Sequence, residues 1–294
     1  MNKRGWLTIV LVFGGLFASL IAFSVVVVAA FDSGSLMSGK RIGVVEIEGP
    51  ITSSKNTLED LRSFEENESI AGIVVRIDSP GGAVAPSQEM YQALREIKKS
   101  TPLAVSMGTT AASGGYYIAC GADKIFANPG TVTGSIGVIT QLFNLEGLLE
   151  KVDVEVNTVK TGAYKDAGSP FREFTPEQRE YFASLLEDIY DQFVEDIAQS
   201  RGLERETVEE YADGRVFTGR QAKERKLVDE LGSFQDAVDY VKQEAELEGD
   251  TDLKYPPEDE VDFLSNALRG FSETVSTELK SKSTPLVEYR FVRP

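Results

Sequence analysis

The chain has no histidine among its 294 residues. Any hydroxyl nucleophile in it must pass its proton to something other than imidazole, which excludes a Ser-His-Asp arrangement and leaves a lysine, an N-terminal amine or a carboxylate. Cysteine is nearly as scarce, with Cys120 standing alone. No disulfide can form within the chain, and the place of Cys120 after Ile118 and Ala119 in an apolar run reads as core, not redox or nucleophilic duty. Positive charge is the third shortage: 30 Lys and Arg against 47 Asp and Glu leave a formal net charge of −17. A body of that sign repels nucleic acid and anionic lipid head groups. No metal or nucleotide motif is present, so no cofactor and no metal are expected.

One long apolar run is present. From Trp6 to Phe31 no residue is charged, and at about 1.5 Å per helical residue this stretch exceeds the ~30 Å hydrocarbon core of a bilayer. It reads as a retained signal anchor; the alternative is a cleavable signal peptide with Val28 and Ala30 at its cleavage site, although the apolar part of such a peptide is normally only ~7 to 15 residues. Lys3 and Arg4 precede the run and Asp32 follows it. The positive-inside rule therefore keeps residues 1–5 in the cytoplasm and sends the body across, giving a single-pass protein of the cell membrane with an extracytoplasmic domain.

Beyond a linker at 32–40, residues 41–248 read as one α/β domain. A strand is predicted over Arg41 to Glu48, a helix over Asn56 to Glu66 and a second, nearly all-apolar strand over Gly72 to Ile77, the pattern of a parallel sheet covered on both faces. The alternation continues with a helix from Pro86 to Lys98, a strand at Leu103 to Met107, a helix opening at Ser113, strands at 124–127, 135–140 and 154–159, and a helix near 145–151. Residues 161–172 contain two glycines and a proline and read as a loop. A long helix follows, with Thr175, Pro176 and Gln178 marking its start and one stripe of Phe182, Leu185, Leu186, Ile189, Phe193 and Ile197. Residues 249–260 are acidic and rich in helix breakers, as expected of a linker. Over 261–294, Val261, Leu264, Leu268, Phe271, Val275 and Leu279 recur at helical spacing and are followed by a flexible tail.

Ser113 opens a helix in Ala111-Ala112-Ser113-Gly114-Gly115-Tyr116-Tyr117. A helix start there turns backbone N–H groups toward an oxyanion developing at a carbonyl that Ser113 attacks, with the N–H of Gly114 as first donor. Gly81-Gly82, at the carboxyl end of a parallel strand where ligands of open α/β sheets bind, is suited to supply the second from Gly82.

Four segments, Asp78-Ser79-Pro80-Gly81-Gly82, Ala112-Ser113-Gly114-Gly115-Tyr116-Tyr117, Thr133-Gly134-Ser135-Ile136-Gly137-Val138 and Gly162-Ala163-Tyr164-Lys165-Asp166, resemble the bacterial signal peptide peptidase A family in order and spacing. The resemblance covers most of residues 42–245 and fits the short, single-domain branch. It implies a Clp-protease-like or crotonase-like α/β fold of repeated β-β-α and βαβ units, and a ring- or dome-shaped homo-oligomer with its sites facing an enclosed chamber. It further implies a Ser-Lys serine endopeptidase that degrades cleaved signal peptides and short unfolded peptides. Residue by residue, it makes Ser113 the nucleophile, Lys165 the general base and acid, Ser135 the group orienting Lys165, and Gly82 and Gly114 the oxyanion donors.

An ordinary lysine, with a pKa near 10.4, is only about one part in a thousand neutral near pH 7.4, so a ready base needs its pKa lowered by about 3, worth about 4 kcal/mol. Desolvation can supply this provided that Asp166 points away from Lys165, because a paired carboxylate would hold the ammonium charged. Lys160 is the alternative base. At Lys226 the family usually has glycine, which bears on a local helix end. Rival readings are a stomatin-partner-type membrane protease, a crotonase-like acyl-coenzyme A enzyme and an inactive membrane scaffold. The tail beyond Ser283, with Leu286 and Phe291, could enter an active site as substrate or plug.

Overall fold

A computed structural model describes residues 40–257. The expected anchor at 6–31 and the helix and tail expected over 261–294 lie outside them. Among the described residues no helix is long and apolar enough to cross a membrane.

The chain begins with β1 (Arg41–Glu48), α1 (Lys55–Glu65), β2 (Ile70–Ser79), α2 (Val84–Ile97) and β3 (Leu103–Ala112). It continues through α3 (Gly114–Ala119), β4 (Lys124–Ala127), β5 (Val132–Gly134), α4 (Glu146–Lys151) and α5 (Pro176–Arg201). The last elements are α6 (Arg205–Glu209), β6 (Val216–Thr218), α7 (Gly219–Glu224), β7 (Glu230–Leu231), α8 (Phe234–Glu244) and β8 (Leu253–Lys254). One sheet results, ordered β6-β5-β3-β2-β1-β8, with β4 beside β3 and β7 beyond β4. Pairing is parallel except between β5 and β6.

The period-two pattern of the strands decides what covers the sheet. Ile42, Val74 and Ala104 join Ala237, Val238 and Val241 of α8 on one face. Val45, Ile73, Val75 and Val105, at the alternate positions, face the larger cluster built with Leu61, Met90, Tyr116 and Phe193. Both faces of β1 and β2 are buried, which is why these strands are nearly all apolar. Helix starts follow local chemistry: Thr175, Thr218 and Ser233 each accept from a backbone N–H one turn on and complete a capping box.

A local irregularity brings β3 round to the site. Ile77 pairs with Met107 and Ser79 with Ala111, so two steps along β2 span four along β3. The backbone N–H groups left over in this bulge are those of Thr109 and Thr110, and both donate to the Asp78 carboxylate at 3.0 Å. Beyond the bulge β3 changes partner, its first half pairing with β4 and residues 110–112 with β5. Burial disfavours charge on Asp78, but these hydrogen bonds outweigh it and hold its pKa below the ordinary value.

Several expectations change. No strand forms over 135–140 or 154–159. Val154 and Val156 alternate with acidic residues as a strand would, yet they find no neighbouring strand to receive their backbone groups and stay exposed. Strands β6, β7 and β8, two or three residues each, are too short to leave a periodic signal. β8 lies within the segment expected as an acidic linker and pairs with β1, and one compact unit runs to Lys254. The stripe of α5 divides: Phe193, Val194, Ile197 and Ala198 are buried, whereas Leu185 is 45% exposed. Lys226, where a family glycine was expected, adopts φ +59°, the left-handed conformation that costs a non-glycine residue about 1–2 kcal/mol. The carbonyl of Lys226 is held by Arg201 Nε at 3.0 Å.

Candidate active site

Ser113 is the single residue between β3 and α3, at φ 53° and ψ −119°. A non-glycine side chain in that region is strained by about 1–3 kcal/mol and persists only where its surroundings fix it. The fixing is visible: Ser113 N–H donates to Gly134 O at 2.8 Å, its carbonyl accepts from Tyr117 N–H at 2.9 Å, and every residue of α3 is buried. The sharp strand-to-helix turn lifts the Ser113 side chain off the end of the sheet, as a nucleophile elbow does.

The turn after β2 meets this elbow. Ile51 N–H donates to Gly81 O at 3.0 Å, and Ala83 N–H donates to Ile51 O at 2.8 Å. Gly82 lies between these two bonds and its own N–H takes part in neither. A side chain is excluded here, since a Cβ on Gly82 would stand 2.1 Å from Ile51 O and one on Gly81 2.8 Å from Ser113 Cβ. A Cβ on Gly114 would come within 3.3 Å of Gly82 N, so the two glycine N–H groups lie close together beside Ser113. Gly114 opens α3, where first-turn N–H groups have no intrahelical acceptor. A hydroxyl flanked by two such donors can add to a carbonyl while the N–H groups stabilise the oxyanion.

Gly82, Ser113 and Gly114 line one cavity of about 90 Å³, with Tyr117, Ile189 and Phe193 among its other walls. Ser135 and Lys165 do not line it. Ser135, at φ 52°, follows β5 and donates its N–H to Arg215 O at 2.8 Å. Lys165 is exposed in the turns between Thr161 and Gly168. Its neighbour Asp166 is committed elsewhere: Arg172 approaches it with Nε and Nη2, each at 2.9 Å, and Lys160 with Nζ at 2.6 Å. Hydrogen bonds from Arg172 and then Lys160 hold the Asp166 carboxyl well below the usual carboxylate range. Lys160, the alternative base, is thus tied to a carboxylate. Burial pushes the Cys120 thiol up to about 11, as suits a core residue.

The structure brings together Ser113, Gly82 and Gly114, which sequence reasoning singled out, and adds Asp78, Ile51 and Tyr117, which it did not. Asp78 and Tyr117 stand inside the quoted motifs, where their residue types were the available signal. Ile51 acts through its backbone, and no sequence signal marks it.

An elbow serine at the end of a parallel sheet, with paired backbone donors beside it, is the arrangement that acyl-transfer enzymes use. Comparison with known proteins gives the particular family. The model of peptidase family S49 matches residues 95–248, and that of Clp protease residues 30–133. A protein of Synechocystis sp. named as a protease is 46% identical over 213 residues, 72% of this chain and 76% of that one. A protein of Enterococcus faecium named as a signal peptide peptidase is 40% identical over 215 residues, 73% and 62% of the two chains. The chloroplastic serine protease SPPA of Arabidopsis thaliana is 35% identical over 211 residues, 69% of this chain and 31% of that one. The chain belongs to peptidase family S49; it is a serine peptidase on a Clp-protease-like α/β fold.

Proposed function

We propose that this chain is a membrane-anchored serine endopeptidase in which Ser113 attacks the peptide carbonyl and Lys165, oriented by Ser135, takes and returns the proton. The N–H groups of Gly82 and Gly114 hold the oxyanion, and water hydrolyses the resulting acyl-enzyme. The observation that carries this reading is the strained Ser113 elbow with the two glycine N–H groups beside it. Signal peptides are the proposed substrates, following the name of the Enterococcus relative, and the apolar run at 6–31 is the proposed anchor that leaves the domain extracytoplasmic.

In this reading Lys165 reaches Ser113 from a neighbouring copy in a homo-oligomer. The support is that Lys165 is exposed and does not line the Ser113 cavity, and that the segment between Ser135 and Lys165 carries uncovered apolar side chains, Phe143 at 76% and Val159 at 100% exposure. An apolar surface on that scale marks an interface. Covering it also removes an ammonium from water, which favours the neutral amine that a base requires.

The test is hydrolysis of a fluorogenic signal-peptide substrate by wild type, Ser113→Ala and Lys165→Ala from roughly pH 6 to roughly pH 10. Both variants should be inactive, wild type should gain activity along one basic limb, and co-assembly of the two inactive variants should restore hydrolysis. An active Lys165→Ala enzyme would move the base elsewhere. Inactive mixed assemblies that form normally would return the dyad to one chain.

A further inference from the structure

The cavity beside Ser113 is far smaller than the roughly 300–1,000 Å³ of a site that holds a whole ligand. Its volume suits one substrate side chain. Residues of α2, α3 and α5 line it, and their polar side chains are already hydrogen-bonded within the protein. Ser87 Oγ donates to Ala83 O at 2.9 Å, and Gln88 Nε2 donates to Gln192 Oε1 at 2.9 Å. The Tyr117 hydroxyl donates to Asp196 Oδ2.

Tyr117 is held from three sides. Its ring stacks on Tyr91 with centroids 4.8 Å apart and meets the edge of Phe193 at 4.7 Å, while its hydroxyl is fixed by Asp196, one turn beyond Phe193 on α5. Tyr91 is fixed in turn, its hydroxyl 2.7 Å from Ser200 Oγ. Tyr117 lines the cavity and Asp196 does not. The ring therefore stands between the cavity and a carboxylate that has no ion pair among the described residues.

We infer that Tyr117 is the specificity-determining floor of the pocket that receives the side chain of the residue whose carbonyl Ser113 attacks, and that Asp196 is a masked charge beneath it. With the ring in place the pocket is small, uncharged and walled mainly by Val84, Ile139, Ile189 and Phe193, and it takes small aliphatic side chains. With the ring removed, the same pocket deepens onto a carboxylate and accepts lysine or arginine, the logic of proteases whose pocket floor carries an aspartate. This inference rests on Ser113 being the nucleophile.

The test uses the full chain and a peptide series that differs only at that residue: Ala, Leu, Phe or Lys. Wild type should favour Leu over Lys by about a hundredfold in kcat/KM, and Tyr117→Ala should raise the Lys-to-Leu ratio by about tenfold or more. The deeper pocket of Tyr117→Ala should also admit Phe, and adding Asp196→Asn should abolish the lysine gain while leaving this Phe gain in place. Tyr117→Leu, which keeps more of the buried volume, serves if the alanine variant does not fold, and should also raise the ratio. Unchanged ratios in both Tyr117 variants, or a lysine gain that survives Asp196→Asn, would overturn the inference. Ser113→Ala separates the two levels. If it still hydrolyses the series, the nucleophile assignment fails and the pocket with it; if it is inactive while the Tyr117 variants keep wild-type ratios, the pocket alone fails.

Discussion

The two halves of α5 carry one continuous apolar stripe but meet different surroundings. The carboxyl-terminal half packs Phe193, Val194, Ile197 and Ala198 into the core that supports Ser113. In the amino-terminal half Tyr181 and Leu185 are about half exposed, and Tyr181 meets Tyr164 of the turns that carry Lys165 at 5.1 Å between ring centroids. The contrast teaches that an apolar stripe states only that something covers it. One half is buried by its own chain; the other is only partly covered, with Phe174 and Tyr164 packed against Phe182 and Tyr181.

The sharpest way to break this comparison is to truncate one residue in each half. Phe193→Ala should cost about 3–5 kcal/mol of stability, the usual range for a buried phenylalanine. Leu185→Ala should stay within about 0.5 kcal/mol, as exposed substitutions do, while shifting the sedimentation distribution toward smaller species. Urea unfolding and analytical ultracentrifugation read the two quantities separately. Equal unfolding costs would mean that the amino-terminal half is covered within its own chain, and the case for an interface there would fall.

A charge placed in the exposed region sharpens the same point. Val159→Asp puts a carboxylate where the wild-type side chain is fully exposed, so the isolated fold should keep its melting temperature. Peptidase activity should nevertheless drop about a hundredfold, the lower range of a general base's contribution, because Lys165 would no longer be delivered to a neighbouring Ser113. Wild-type turnover with a normal oligomer would show that this surface has no part in the reaction.

How much was legible follows from the same contrast. β1 was read to its ends and the βαβ order was recovered, because strands buried on both faces announce themselves by composition. Ser113, Gly82 and Gly114 stood out through the joint presence and order of their motifs, since a glycine pair after an apolar strand alone reads equally as an ordinary tight turn. The alternation around Val154 and Val156 was misread as a strand, since period two reports a preference and pairing requires a neighbour. Lys165 was legible as a residue in a loop but not as a position relative to Ser113, because a loop without apolar periodicity carries no signal of where it packs. Asp78 was quoted in a motif without a role, because the bulge it serves exists only once β2 and β3 are paired.

That bulge supplies the smallest and most local test. Asp78 takes the N–H groups of Thr109 and Thr110 at 3.0 Å, so the folded state prefers its ionised form and its pKa lies below the ordinary 3.8. A carboxylate whose pKa is lower in the folded state than in the unfolded chain adds stability above the unfolded value, and that contribution disappears as the pH falls through the folded one. Asp78→Asn keeps one acceptor oxygen and loses the charge. It should therefore reduce the unfolding free energy at neutral pH by about 1.5–3 kcal/mol, the range for a hydrogen bond to a charged group. The gap between wild type and variant should stay constant down to about pH 5 and close below about pH 4. Because the same bulge sets the path from β3 into Ser113, the variant should also lose part of its turnover at neutral pH. A stability gap that stays open in acid would mean that Asp78 supports β3 by shape, with no contribution from its charge.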